Sequence, residues 1–160
     1  MDHYTIGENN MQCQCNPEIK ERISEYLKNH PYLNLATVSP EGKPMAHSMG
    51  YASAGPVVYM GTGKDTRKYQ NIEKNPSVAF TVDEDSLDVF NITGVQMEGK
   101  ASFVTDEDEI QTYFQLVMEK YPFAKDMPKN TDNRIIKIEP TKAFFLDYSV
   151  EFGFRYEVEY

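Results

Sequence analysis

Cysteine is scarce in this sequence: Cys13 and Cys15 are the only two in 160 residues, and they lie one residue apart. That spacing rarely closes an unstrained disulfide and supplies at most half of a tetrahedral metal site. The pair is therefore expected as free thiols on a flexible arm over residues 1–15. Histidine is nearly as sparse. His3, His30 and His47 lie in different segments with no repeated spacing, so no metal site is assigned. Positive charge is also in short supply, with 16 basic residues against 25 acidic ones, and the resulting net charge of −9 repels nucleic acid and anionic lipid at long range. An anionic ligand must meet a local basic cluster. No apolar run approaches the ~18 residues of a membrane span. Residues 1–10 lack the basic and apolar regions of a signal peptide. The expectation is a cytoplasmic protein with no membrane and no nucleic-acid partner.

What is present is ordinary globular material. Hydrophobic residues make up 40% and charged residues 26%, enough to bury a core, and the length suits a single domain over residues 1–160. Asn16 and Pro17 read as the cap and first position of a helix whose apolar face is Ile19, Ile23, Tyr26 and Leu27, stopping before Pro31. Leu33 to Val38 reads as a buried strand, and Ser39-Pro40-Glu41-Gly42 as a turn. Met45, His47, Met49 and Tyr51 alternate with Ala46, Ser48 and Gly50, which predicts a second strand returning antiparallel to the first.

Val57 to Met60 predicts a third strand running into Gly61, Thr62, Gly63 and a polar helix from about Asp65 to Lys74, ended by Asn75-Pro76. Val78, Phe80 and Val82 mark a fourth strand, and Asp83, Glu84, Asp85 and Asp88 a solvated acidic loop without calcium-hand spacing. Val95 to Val104 is a long fifth strand. Thr105 with Asp108 resembles a capping box opening an amphipathic helix to about Lys120, carrying Ile110, Tyr113, Phe114 and Val117. Ile135 to Tyr148, interrupted at Pro140, completes six strands. Hairpin connections with only short helices predict a mainly β fold, an antiparallel six-stranded barrel with helices at its ends.

The stretch Tyr59-Met60-Gly61-Thr62-Gly63-Lys64-Asp65-Thr66-Arg67-Lys68 holds the most chemistry. A strand ends in glycines and a helix begins among three cations. Glycines admit a close backbone approach, helix N-terminal amides point outward, and Thr66, Arg67 and Lys68 add a hydroxyl and charge-assisted donors. A phosphate monoester suits such a place. The spacing alone favours a plain turn followed by a solvated helix face of Lys64, Arg67 and Lys68, and it matches neither a phosphate loop of nucleotide hydrolases nor a dinucleotide fingerprint.

The succession Leu35-Ala36-Thr37-Val38, Glu41-Gly42-Lys43-Pro44, the strand through His47, Tyr59 to Gly63, Thr66-Arg67-Lys68, Asn71, Asn75-Pro76-Ser77-Val78-Ala79 and Val95-Gln96-Met97-Glu98-Gly99 resembles the pyridoxamine 5'-phosphate oxidase-like family. The resemblance spans roughly Leu33 to Val104. It implies an FMN-binding split barrel that dimerises and holds its flavin, or in some members a flavin-like or haem ligand, in clefts between subunits. By position, Arg67 and Lys68 would bind the FMN phosphate with help from Thr66. His47, Ser48 and Met49 would line the flavin ring with Thr62 beside them. The dimer interface is expected on the apolar faces of the strands near Met45 to Tyr51 and Val95 to Phe103.

One departure limits what carries over. The C-terminal segment from Phe152 to Tyr160 holds one arginine, Arg155, and no histidine, whereas authentic members grip the substrate phosphate there with basic and histidine side chains. The expected function is thus an FMN flavoprotein, an oxidoreductase acting on a small-molecule substrate or electron donor other than pyridoxamine 5'-phosphate. The alternatives are a non-catalytic flavin-binding module and a haem-binding or haem-degrading relative, in which His47 or a C-terminal side chain ligates iron.

Overall fold

The computed structural model describes residues 16–126 and 132–160. The expected arm, with Cys13 and Cys15, lies outside the described residues. The elements follow in the order α1 (Pro17–Asn29), β1 (Tyr32–Val38), β2 (Pro44–Gly50), β3 (Ala52–Ala54), β4 (Val57–Gly63), α2 (Arg67–Lys74), β5 (Ser77–Asp83), β6 (Thr93–Phe103), α3 (Glu107–Lys120), β7 (Asn133–Asp147) and β8 (Arg155–Glu159). Among the described residues, no helix is long and apolar enough to cross a membrane.

Each strand pairs antiparallel with its neighbours in the order β2-β1-β5-β6-β7-β4-β3, and β8 adds to β7. The two ends of that path, β2 and β3, are consecutive in the chain and separated only by Tyr51. The sheet therefore curls back on itself as a split barrel. Tyr51 closes the seam from inside, almost wholly buried, with its hydroxyl donating to the Leu27 carbonyl at 2.7 Å.

The strands number eight rather than the expected six. The two extra ones, β3 and β8, are short; β3 is built of alanine and serine and β8 has charges at alternate positions, so neither carries an apolar run. Pairing with β4 and β7 makes them strands, which is tertiary context overriding a weak local signal. The irregularity expected at Pro140 is present. Pro140 lies opposite Gly99, and the register shifts between Glu98 and Gly99, as befits a residue without an amide hydrogen. A side chain at Gly99 would stand 2.6 Å from the Glu139 carbonyl oxygen, so only glycine fits the bulge.

The core fills the inside of the curl. Alternate residues Leu33 and Leu35, Phe80 and Val82, Val95 and Met97, and Ile136 and Ile138 point inward, and α1 plugs the space with Ile19, Ile23 and Leu27. Each such side chain contributes about 1.5–3 kcal/mol on burial. Helix α1 starts where the Asn16 Oδ1 accepts from the amides of Glu18 and Ile19 at 3.0 and 3.2 Å. Arg22 to Asp147 at 2.7 Å and the Tyr26 hydroxyl to the Thr93 carbonyl at 2.9 Å then fasten it to the barrel.

Helix α3 departs from its expected start. Its cap is Asp106, which accepts from the Glu109 amide at 3.0 Å, and not Thr105. No residue of α3 is buried; Ile110, Tyr113 and Leu116 half-cover Tyr59, Val104 and Ile135, while Phe114 faces outward. Polar fastenings hold it instead. The Tyr59 hydroxyl donates to Glu109 at 2.9 Å, Lys137 pairs with the same carboxylate at 2.8 Å, and the Lys120 amine donates to the Leu27 carbonyl at 2.9 Å above the Tyr51 ring. The expectation of an apolar interface on the fifth strand is also corrected. Val95, Met97 and Ala101 of β6 lie inside the barrel core, and the outward row is Gln96, Glu98, Lys100 and Ser102.

Candidate functional site

The candidate site is centred on the end of β4. Gly61 runs beneath the Tyr113 hydroxyl, which a side chain there would meet at 3.1 Å. At Gly63 the chain turns: its carbonyl accepts from the Thr66 amide at 3.2 Å and from the Thr66 hydroxyl at 2.8 Å. The polar helix expected from Asp65 begins at Arg67, because Thr66 is its cap. Thr66 Oγ1 accepts from the Tyr69 amide at 3.4 Å and lies 2.9 Å from Oγ1 of buried Thr62. Two hydroxyls thus converge under the first turn of α2, where the leading amides have no partner within a helix.

That first turn is electrostatically unusual. The positive end of a helix favours carboxylates, yet α2 opens with Arg67 and Lys68 and has no acidic residue in its first turn. Among the described residues neither cation is within salt-bridge distance of a carboxylate. Helix dipole, leading amides and two cations are chemically suited to an anion. The other side of α2 is anchored by Asn71, buried, whose amide donates to Thr37 Oγ1 of β1 at 3.0 Å. An open cavity of about 550 Å³ lies along the helix, bordered by Arg67, Lys43 and Lys74 and also by the carboxylates Glu41 and Glu73.

His47 belongs to this group by position. It projects from the middle of β2, half-buried, and its Nε2 is shielded from solvent with no hydrogen-bond partner. Burial holds its imidazole below the usual histidine range, and the charges of Lys68 and then Arg67 push it further down. The ring is therefore kept neutral beside two cations. An unpaired buried nitrogen costs about 1–3 kcal/mol unless something bonds to it.

Of the residues singled out from sequence, the structure brings Thr62, Thr66, Arg67, Lys68 and His47 into one neighbourhood. Met49 lies on the same face of β2 as His47 and packs against the core. Ser48 does not join them. Adjacent residues of a strand face opposite ways, and Ser48 is exposed on the other side, donating to Asn34 Oδ1 at 2.9 Å. Sequence reasoning gave no account of the contact between Tyr113 and Gly61, which depends on where α3 lands. The link from Asn71 to Thr37 was signalled only by the asparagine itself.

The C-terminal segment is equally informative. Arg155 of β8 lies over the Phe144 ring at 4.8 Å, and Lys142 is paired with Glu157. Phe145 is core, while Phe152 is exposed.

Comparison with known proteins agrees with this architecture. The family model described as pyridoxamine 5'-phosphate oxidase matches residues 19–147. General stress protein 26 of Bacillus subtilis (strain 168) is 30% identical over 123 residues, covering 77% of this chain and 84% of its own. A haem-binding protein of Mycobacterium smegmatis superposes with a TM-score of 0.76 at 16% identity over 91% of this chain, which spans 59% of that protein. HutZ, a haem storage protein of Vibrio cholerae, superposes with a TM-score of 0.63 at 20% identity, covering 79% of this chain and 90% of its own. At those identities the two structures speak for the fold alone. With a family model spanning most of the chain, a curated relative at 30% identity and a split barrel of matching topology, the chain belongs to the pyridoxamine 5'-phosphate oxidase-like family.

Proposed function

We propose that this protein is an FMN-binding flavoprotein of the oxidoreductase class, working as a homodimer with flavin at the subunit interface. The observation that carries the reading is the solvent-shielded, unpartnered Nε2 of His47 beside the cationic first turn of α2. Arg67, Lys68 and the amides of the α2 N-terminus are placed to hold the phosphate, with the Thr66 hydroxyl beside it. His47 and Met49, on one face of β2, are placed to face the ring. The bound flavin supplies hydride or electron transfer to a small-molecule substrate or electron donor. His47, neutral at physiological pH, offers one hydrogen bond there without adding charge. Thr62, through Thr66, fixes the cap that orients the helix.

Pyridoxamine 5'-phosphate is not the substrate in this reading. A second phosphate needs free cations near the C-terminal segment, and there Arg155 is stacked on Phe144 and Lys142 is paired with Glu157. The second subunit is supported by β2, an edge strand whose half-buried face Met45, His47, Met49 has no strand beyond it among the described residues.

A second reading, haem at the same cleft, draws on the same Nε2, since a neutral imidazole nitrogen is also an iron ligand. Two of the similar structures are named for binding or storing haem. The visible spectrum of the purified protein separates the two. Flavin absorption, with light scattering well above the 18.4 kDa monomer mass, supports the FMN dimer. A Soret band that His47→Ala abolishes supports haem, and a flavin-loaded monomer contradicts the interface.

A further inference from the structure

At the end of the barrel opposite α2, two loops expose apolar side chains that no other element among the described residues covers. β6 runs from Thr93, beside these loops, to Phe103, whose ring meets Tyr69 of α2 at 4.4 Å, so the two ends are roughly 30 Å apart. In the loop of residues 84–92, Leu87 is 100% exposed, Phe90 67% and Val89 45%. In the loop of residues 148–154, Phe152 is 63% and Val150 54% exposed. The Phe90 and Phe152 ring centroids are 6.1 Å apart, and Tyr148 meets Phe152 at 5.2 Å, so the two loops form one patch.

The patch is built and not frayed. Asp88 accepts from the Phe90 amide at 3.3 Å and from the Asn91 side chain at 2.7 Å. The Tyr148 amide donates to Ile92 across the loops at 3.0 Å, and the Phe154 amide closes a turn onto Glu151 at 2.9 Å with Gly153 at φ +84°. Hydrogen-bonded turns thus hold aromatic rings toward water, the opposite of what burial favours in an isolated chain.

Charge decides what fits there. Glu84, Asp85, Asp88 and Glu151 rim the apolar residues, and neither loop contains a lysine or arginine. An anionic membrane or a nucleic acid would be repelled, and patch-to-patch contact between two copies would set carboxylates against carboxylates. We propose that these loops form a docking surface for a basic, amphipathic segment of a partner protein, with its apolar side seated on Phe90 and Phe152 and its cations on the acidic rim. Within one subunit this surface lies at the far end of β6 from the first turn of α2, and peptide binding is read independently of flavin binding.

The test uses the full-length protein and three probes: a fluorescent amphipathic peptide of leucine and lysine, its leucine–glutamate counterpart, and vesicles of anionic phospholipid. The leucine–lysine peptide is expected to bind, the other two are not. Phe90→Ser/Phe152→Ser, and separately Asp85→Lys/Glu151→Lys, should each weaken the peptide at least about tenfold, as removal of central aromatic anchors or of the complementary rim does. Retained far-ultraviolet dichroism and an unchanged thermal unfolding midpoint confirm that both variants fold. Unchanged peptide affinity in both variants, or equal binding of the acidic peptide or the vesicles, overturns the proposal. So does a lower oligomeric state in Phe90→Ser/Phe152→Ser, because a second copy would then be the occupant.

Discussion

β1 and β2 pair with each other along seven residues each and alternate with the same period, yet one buries its inward row and the other does not. Leu33, Leu35 and Thr37 of β1 are buried; their cross-strand partners Met49, His47 and Met45 on β2 are only half so. The inward row of the barrel thus continues past β1 onto an edge strand with no further strand beside it among the described residues, and at its middle stands an imidazole nitrogen with no partner. Periodicity tells which way a side chain points. What lies across from it depends on the strand's place in the sheet, and here the place is the lip of a cleft.

Stability measurements separate the two strands most strongly. Leu35→Ala should lower unfolding free energy by about 2–5 kcal/mol, as truncation of a fully buried leucine does. His47→Ala, its direct neighbour in register, should change it by no more than about 1 kcal/mol, because the lost packing is offset by removal of an unpaired buried nitrogen. Urea titration of both variants checks this. Equal losses would mean that β2 is core and not lip.

A smaller effect sharpens the contrast at α2. Thr66→Ala removes the cap and should cost about 1 kcal/mol. Arg67→Ala should leave stability unchanged or raise it by roughly 0.3–1 kcal/mol, since a cation at a helix N-terminus opposes the dipole. Thermal unfolding of the ligand-free variants measures both. A destabilised Arg67→Ala would show that the arginine serves the fold and not a ligand.

The smallest effect is in pH dependence. Burial and the charges of Lys68 and Arg67 hold His47 below its ordinary value, so the unfolded chain takes up a proton before the folded one does. Stability from this site is therefore present above the ordinary histidine range of about 6.5 and is lost as pH falls below it. His47→Gln should lose less stability than the parent between neutral and mildly acid pH. An anion bound at Arg67 and Lys68 cancels their charge, so an NMR titration should find the His47 pKa higher with phosphate ester bound. No rise on binding would separate His47 from the anion site.

Much of the frame was legible in the sequence because its strands alternate and its turns carry proline, glycine and asparagine. Helix α1 shows its cap in Asn16-Pro17 and its face in Ile19, Ile23 and Leu27. β3 and β8 were not legible, since Ala52–Ala54 and Arg155–Glu159 become strands only by pairing. Asp106 displaced Thr105 as the cap of α3 because both are competent residues one position apart. At the site, the glycines and cations of Gly61 to Lys68 were visible as a motif. That His47 lies close enough to feel Arg67 and Lys68 was not, because β2 and α2 are brought together by the curl of the sheet. Nor could alternation reveal that the apolar face of β6 is spent on the core.

Parallel titrations of the protein with FMN and with riboflavin decide whether the first turn of α2 receives a phosphate. The two ligands share the ring and ribityl chain and differ only in the phosphate. Each charge-assisted hydrogen bond contributes about 1.5–3 kcal/mol. FMN should therefore bind at least about tenfold more tightly, and Arg67→Ala should remove most of that preference while leaving riboflavin affinity unchanged. Equal affinity for the two ligands, or a preference for FMN that Arg67→Ala and Lys68→Ala leave intact, would contradict it.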